Sequence, residues 1–198
     1  MTHEFLRSRR SIRRFQPKPV DMDVLTRILT TATHAPSAHN RQPWRFAVLT
    51  HPQPKSRLSD LLAADFRRDL AADGLPEPEI EARLQRSKNR INAAPVVIVL
   101  CMDMSAMDVY PDEKRSVAER IMATQSVAAA GLQLQLAAQA EGLGSVWTCS
   151  PLFAPETVRT ALGLPADWEP QAMFFLGWPA EAPKTKELKP LDEIARWF

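Results

Sequence analysis

The stretch from about Lys114 to Glu141 constrains this chain most. Val117, Ile121, Ala128, Leu132 and Leu136 recur at spacings of four and seven, and Val127, Ala130, Leu134 and Ala138 occupy the neighbouring faces. That pattern predicts one long helix, apolar almost all round, and such a helix has to be buried. The small residues Ala128 to Gly131 would let another backbone come close to it. The rest of the chain must therefore supply partners for this helix.

Its partners are legible on both sides. Val96 to Met102 is a continuous apolar run, as expected of a central strand. Trp44 to Thr50 reads as a strand covered on both faces, Ser145-Val146-Trp147 begins another, and Met173 to Trp178 is the last. Between them lie helices: Leu25, Ile28, Leu29 and Ala32 after a capping Asp21, closed by Pro36; Ser56 to Leu70 with Gly74 beyond its end; and a helix after Pro76-Glu77-Pro78 carrying Ile80, Leu84 and Ile91, stopping before Pro95. A short helix starts at Pro155-Glu156 and ends at Gly163. Strands separated by long helices predict an α+β or α/β sandwich around one sheet. No repeat or linker divides residues 1–198, so a single domain is expected, with a charged helical excursion over about 54–93 and a proline- and lysine-rich tail over 179–198.

Composition excludes several classes. At 198 residues with 45% hydrophobic and 24% charged content, the chain is an ordinary globular one, large enough for a core. A formal charge of +2 is too mild for nucleic acid. No apolar run reaches the ~20 residues of a membrane span, and the start Met1-Thr2-His3-Glu4 lacks a secretory core. Two cysteines, Cys101 and Cys149, make no disulfide framework, so a cytoplasmic, reduced protein is expected.

Two short stretches carry the chemistry. Arg9-Arg10-Ser11-Ile12-Arg13-Arg14-Phe15 gathers guanidinium groups around one hydroxyl, after a short amphipathic run with Phe5 and Leu6. A bound phosphate wants such fixed, permanently charged forks. Pro36-Ser37-Ala38-His39-Asn40-Arg41-Gln42-Pro43-Trp44 is a polar turn bracketed by prolines, placed where a helix hands over to a strand. Read alone, the first is as readily a solvated basic end. Other constellations are weaker: His3, His34, His39 and His51 are scattered, Cys149 has no identifiable base, Gly142-x-Gly144 follows a helix, and Ser37 with His39 has no orienting acid. No metal site and no catalytic side chain are predicted.

Taken together, Arg-Arg-Ser-Ile-Arg followed by Ala-Pro-Ser-x-x-Asn-x-Gln-Pro-Trp resembles the nitroreductase family of FMN-dependent oxidoreductases. The resemblance implies a three-layer α+β sandwich, a central mixed sheet flanked by helices, a domain-swapped tail and a homodimer with the long helix at its heart. It also implies FMN as cofactor, with the protein supplying binding, orientation and electrostatic tuning, including a cation near the ring edge that becomes anionic on reduction. Carried over position by position, it places Arg9, Arg10, Ser11, Ile12 and Arg13 on the flavin. Ser37 and Asn40 would reach it from the second subunit, with the Thr148-Cys149 backbone near N5 and Lys186 or Lys189 at the phosphate. The family often has Arg in that tail, and a Lys gives charge without a bidentate fork.

A narrower resemblance covers nearly the whole chain. Phe66-Arg67-Arg68-Asp69, Tyr110-Pro111-Asp112, Gly142-Leu143-Gly144-Ser145-Val146-Trp147 and Leu164-Pro165-Ala166-Asp167-Trp168 are similar to one branch of that family: the C-terminal flavoprotein domain of the mycobacterial bifunctional ligase of the 8-hydroxy-5-deazaflavin coenzyme (F-420). It implies reduction of the dehydro precursor of that coenzyme by hydride transfer from reduced FMN, with His39, Arg67, Arg68 and Asp69 toward substrate. The plainer reading of Asp69 is a charge partner on an exposed helix. A general NAD(P)H-dependent nitro- or quinone-reductase and a non-catalytic flavin- or deazaflavin-binding module are the alternatives.

Overall fold

A computed structural model describes residues 2–198; of the opening Met1-Thr2-His3-Glu4, only Met1 lies outside them. In order, the chain forms α1 (Thr2–Ser8), α2 (Met22–Ala32), β1 (Trp44–Leu49), α3 (Pro52–Ala72), α4 (Glu77–Ala93) and β2 (Val96–Asp103). Then follow α5 (Glu113–Ala140), β3 (Gly144–Thr148), α6 (Pro155–Leu162), β4 (Trp168–Gly177) and α7 (Leu191–Ile194).

The sheet order is β1-β2-β4-β3, antiparallel at every pairing of these strands. The mixed character expected of it reduces to one parallel bridge, Ser11 to Ser145, on the outer edge of β3. Period-two alternation divides β2 between two cores. Val96, Ile98, Leu100 and Met102 face α2 and α5 with Phe174 and Leu176 of β4, whereas Val97, Val99 and Cys101 face α3 and α6 with Met173 and Phe175. Cys101 is wholly buried there, and burial pushes its thiol pKa up to about 12. These two cores and the sheet make the three layers. β1 is an edge strand with Arg45 to Val48 only half-buried, so its two faces are less covered than its composition implies.

Several boundaries shift for local reasons. α3 begins at Pro52, earlier than its apolar spacing shows, because Pro52 and Pro54 lie in a first turn where a missing N–H costs nothing. α2 closes at Ala32, and Thr33 to Ala35 continue as turns before Pro36. β4 extends back to Trp168 across Pro170. A register shift between Leu100 and Cys101 leaves the ladder irregular where proline has no N–H to donate. Gly74 ends α3 at φ 76, as a left-handed cap requires.

The α3–α4 hairpin packs on itself through Leu70, Ile80 and Leu84. At its base, the buried Lys55 donates to Ala94 O at 2.7 Å, and Asn92 Nδ2 donates to Ser59 Oγ at 3.1 Å. Helix α5 departs from its expected burial. Ala123, Val127, Ala130, Leu134 and Ala138 are buried against the sheet and α2, but Val117, Ile121 and Leu132 are 51%, 52% and 49% exposed. Among the described residues α2, the sheet, the turn at Ala38 and the end of α1 pack on α5, and Val117, Ile121 and Leu132 stay half-exposed beside them.

Candidate functional site

The arginine segment is laid along the edge of β3. Ile12, 6% exposed, donates its N–H to Ser145 O at 3.0 Å, and Ser145 Oγ accepts from the buried Gln135 of α5 at 3.3 Å. Gly144 makes this approach possible, since a Cβ there would lie 2.8 Å from Ile12 Cβ. The guanidinium groups of Arg9, Arg10 and Arg13 meet no carboxylate among the described residues. That of Arg10 donates to Arg7 O (2.6 Å) and Arg9 O (2.8 Å), and that of Arg13 to Ser11 O (3.3 Å). Among the described residues no carboxylate lies within 4.0 Å of the Arg9, Arg10 or Arg13 guanidinium, whereas Arg14 reaches Glu181 at 3.9 Å. Three cations without counter-ions thus stand on one short segment, and guanidinium forks are the donors an oxyanion takes.

The Pro36–Pro43 turn is strained. His39, Asn40 and Gln42 all adopt left-handed φ, at 49°, 55° and 50°. Non-glycine residues held there cost about 1–3 kcal/mol each and persist only where surroundings over-determine them. The surroundings are Ala38 N–H donating to Ser126 Oγ (3.1 Å), Gln42 N–H to Ser37 Oγ (3.1 Å) and Gln42 Nε2 to Asn40 Oδ1 (3.1 Å). Arg41 is ion-paired with Asp108, whose N–H donates to Glu119 Oε1 at 3.2 Å. Glu119 is 1% exposed, and its Oε2 is a buried oxygen with no partner.

Within one chain these two parts do not meet through any hydrogen bond or ion pair among the described residues. The turn is anchored to α5 at Ser126 and the arginine segment near Gln135, about 13 Å further along the axis at 1.5 Å per residue.

Past the arginine segment, β3 ends at Thr148, whose hydroxyl donates to Met173 O at 3.1 Å. Trp147 meets Phe174 edge-to-face at 5.0 Å and donates Nε1–H to Cys149 Sγ at 3.2 Å. Cys149 is exposed and opens onto a cavity of about 770 Å³ between α3, α4 and the turn Ser150–Phe153. Leu62, Phe66, Leu70 and Phe153 supply its apolar lining.

Of the residues expected near substrate, Asp69 lines this cavity. Arg67 is engaged by Glu77 and Glu81, and Arg68 by Asp65. His39 lies in the strained turn, away from the cavity lining. The cations that do line it are Arg83, Arg86 and Arg90 of α4, which the sequence reading did not single out although their spacing of three and four puts them on one helix face. Lys186 and Lys189 stand exposed on the tail, and neither is brought to the arginine segment. The tail joins that segment at its own start instead: Phe15 bridges Pro179, and Glu181 accepts the Arg13 N–H at 3.0 Å. Among the described residues no cluster of three His, Cys, Asp or Glu side chains is placed to hold a metal, and no helix is long and apolar enough to cross a membrane.

The Nitroreductase family model matches residues 6–178, a span that runs from the arginine segment to the end of the sheet. The chain belongs to the nitroreductase family. Members of this family are flavin-dependent oxidoreductases, and this chain is an enzyme of that class. It is 32% identical over 193 residues to a 5,6-dimethylbenzimidazole synthase from Rhodospirillum rubrum, covering 95% of this chain and 86% of that one. It is also 32% identical over 213 residues to an NADH dehydrogenase from Thermus thermophilus, with coverage of 96% and 92%. Among solved structures, a nitroreductase-type protein in complex with FMN from Desulfovibrio desulfuricans superposes with a TM-score of 0.74 at 28% identity, covering 99% of this chain and 96% of that one.

Proposed function

We propose that this chain is an FMN-dependent oxidoreductase that draws electrons from NAD(P)H, reduces a small conjugated acceptor, and is complete only as a two-fold dimer. The donor set on the arginine segment fits a flavin mononucleotide: Arg9, Arg10 and Arg13 for the phosphate and the pyrimidine edge, with Ser11 and the Ile12 backbone fixing their position. Thr148 and Cys149, at the end of the same strand, would border the ring, and Lys186 or Lys189 would close on the phosphate. When bound, FMN supplies two-electron chemistry; with a nitroaromatic acceptor the balance is ArNO₂ + NAD(P)H + H⁺ → ArNO + NAD(P)⁺ + H₂O.

The observation that carries this reading is the row of unpaired guanidinium groups held against β3. The dimer rests on two further facts. The turn that carries Ser37 and Asn40 is anchored about 13 Å along α5 from the anchor of the arginine segment in the same chain, and the stripe Val117, Ile121, Leu132 stands half-exposed. A two-fold axis crossing α5 between Ser126 and Gln135 would bring the turn of one chain toward the arginines of the other and cover that stripe. It also gives the tail, with Leu188, Leu191, Ile194 and Trp197 exposed, a surface to wrap.

The test is the visible absorbance of the purified protein with and without added FMN. Flavin bands that survive gel filtration in the native protein and vanish in the triple variant R9Q/R10Q/R13Q, with its fold intact by circular dichroism, are expected. Retention of the flavin by that variant refutes the assignment. A second reading, reduction of the dehydro precursor of the deazaflavin coenzyme, is favoured by the placement of Asp69 in the cavity of the charged excursion. Anaerobic incubation with reduced FMN and that precursor decides it, and unchanged precursor with flavin bound counts against it.

A further inference from the structure

We propose that Arg86 and Arg90 form an oxyanion-binding wall in the cleft between α3 and α4. The acceptor this enzyme takes then carries a carboxylate or phosphate arm on its ring. The inference rests on the oxidoreductase reading and names the substrate class of that same site.

Its basis is the contrast between spent and unspent charges on the hairpin. Arg67 is held by Glu77 and Glu81, Arg68 by Asp65, Arg83 by Glu79 at 2.5 Å and Lys88 by Asp60 at 2.7 Å. Arg86 and Arg90 have no hydrogen-bond or ion-pair partner among the described residues, and both line the cavity. They stand one turn apart on α4, with Cβ atoms about 6 Å from one another. That spacing lets two planar forks share one phosphate or grip one carboxylate between them.

Asp69 in the last turn of α3 and Asp73, which caps that helix, line the same cavity, and they too make no ion pair. Asp65, Glu79 and Arg83 also line the cleft, but each is paired, Asp65 with Arg68 and Glu79 with Arg83, so the charges left over are Arg86 and Arg90 on α4 and Asp69 and Asp73 at the end of α3. A ligand complementary to that field places its oxyanion toward α4 and hydroxyl or amine donors toward α3. Its ring lies on Leu62, Phe66 and Phe153. At about 770 Å³ the cavity has room for such a molecule, and its lip at Cys149 and Ser150 continues from the strand that would border the flavin.

The experiment compares acceptors of one shape and different charge on the flavin-loaded protein: para-nitrobenzoate, para-nitrophenyl phosphate, the neutral para-nitrobenzyl alcohol and the cationic para-nitrobenzylamine. The expected result is a kcat/KM preference for the oxyanion acceptors over the alcohol that falls about tenfold in R86Q/R90Q, as loss of a solvent-exposed charged hydrogen bond predicts. Lys88→Gln, which removes a paired cation from the same helix, leaves the preference in place. Which oxyanion loses more separates a phosphate site from a carboxylate site. An anion-to-neutral ratio that is the same in the native protein and in R86Q/R90Q overturns the proposal.

Failure of the oxidoreductase reading is told apart by calorimetry. If the protein reduces none of these acceptors, titration of para-nitrobenzoate into it still reads the arginine wall. Binding lost in R86Q/R90Q supports the wall, and binding that is absent or unaffected by those changes overturns it.

Discussion

Substituting Gly144→Ala tests whether β3 holds the arginine segment in place. The new Cβ would lie 2.8 Å from Ile12 Cβ and 2.9 Å from both Ile12 Cγ1 and Cγ2. These atoms form the branch point of a buried side chain, so no flexible far end can swing aside. Alanine recovers about 0.5–1 kcal/mol of the backbone entropy that glycine gives up in a strand. Against this, overpacking costs about 1–3 kcal/mol, and moving Ile12 also weakens its 3.0 Å bond to Ser145 O, worth about 1 kcal/mol. The clash wins by roughly 1–3 kcal/mol. Ile12 belongs to neither of the cores that sandwich the sheet, so the strain is relieved by residues 9–13 lifting away from β3 rather than by unfolding. The expected outcome is an FMN Kd raised about 5- to 150-fold at 1.4 kcal/mol per tenfold, with a Tm close to the native value. Fluorescence titration of FMN alongside thermal melts by circular dichroism measures both. An unchanged Kd with a lowered Tm refutes the reasoning, because the sheet would then have absorbed the clash.

Three further outcomes are expected. Gly131→Ala gains about 1 kcal/mol of helix propensity, yet its Cβ would meet Trp147 Cζ3 at 2.7 Å and Phe174 Cζ at 3.0 Å; the balance should lower Tm and shift the tryptophan emission, and a raised Tm would contradict the packing. Asp103 is buried, which raises its pKa, but hydrogen bonds from Ser105 and the 2.6 Å ion pair with Arg45 outweigh that and hold it below the usual carboxylate range. Its contribution is therefore present above about pH 4 and lost as pH falls further: Asp103→Asn should melt lower at neutral pH, with the gap closing in acid, and a gap independent of pH would refute the assignment. Ile121→Asp or Leu132→Asp, on the exposed stripe of α5, should give monomers in sedimentation and lose bound FMN together, whereas a dimer that persists would refute the proposed axis.

Most of the fold was legible because the patterns that encode it are local. The continuous apolar run of β2, buried at every position, and the capping of α3 at Gly74 follow from residue order alone. The departures come where tertiary context decides. The Trp168–Pro170 part of β4 is hidden because proline in an interior strand is tolerated only where the ladder is already irregular. The all-round apolar character of α5 was legible, but its burial was not: composition says that a face wants cover, and only the packing around the helix shows which face stays exposed.

The same distinction governs the site. The narrower resemblance turns Arg67, Arg68 and Asp69 toward substrate, and Arg67 and Arg68 have the charge for an anionic arm. Asp69 lines the cavity, while antiparallel packing of α4 on α3 brings Glu77 and Glu81 to Arg67. Helical proximity gives Arg68 its carboxylate at Asp65. A cation so engaged has little left to offer an incoming anion. Arg86 and Arg90, unremarkable in order of residues, remain free and face the cavity. At the amino terminus the logic runs the other way: Arg14 is drawn to Glu181, while Arg9, Arg10 and Arg13 keep only backbone carbonyls or nothing. Whether an arginine binds ligand is thus decided less by where arginines cluster than by which of them the fold leaves without a carboxylate. Register, being non-local, is what a single sequence conceals.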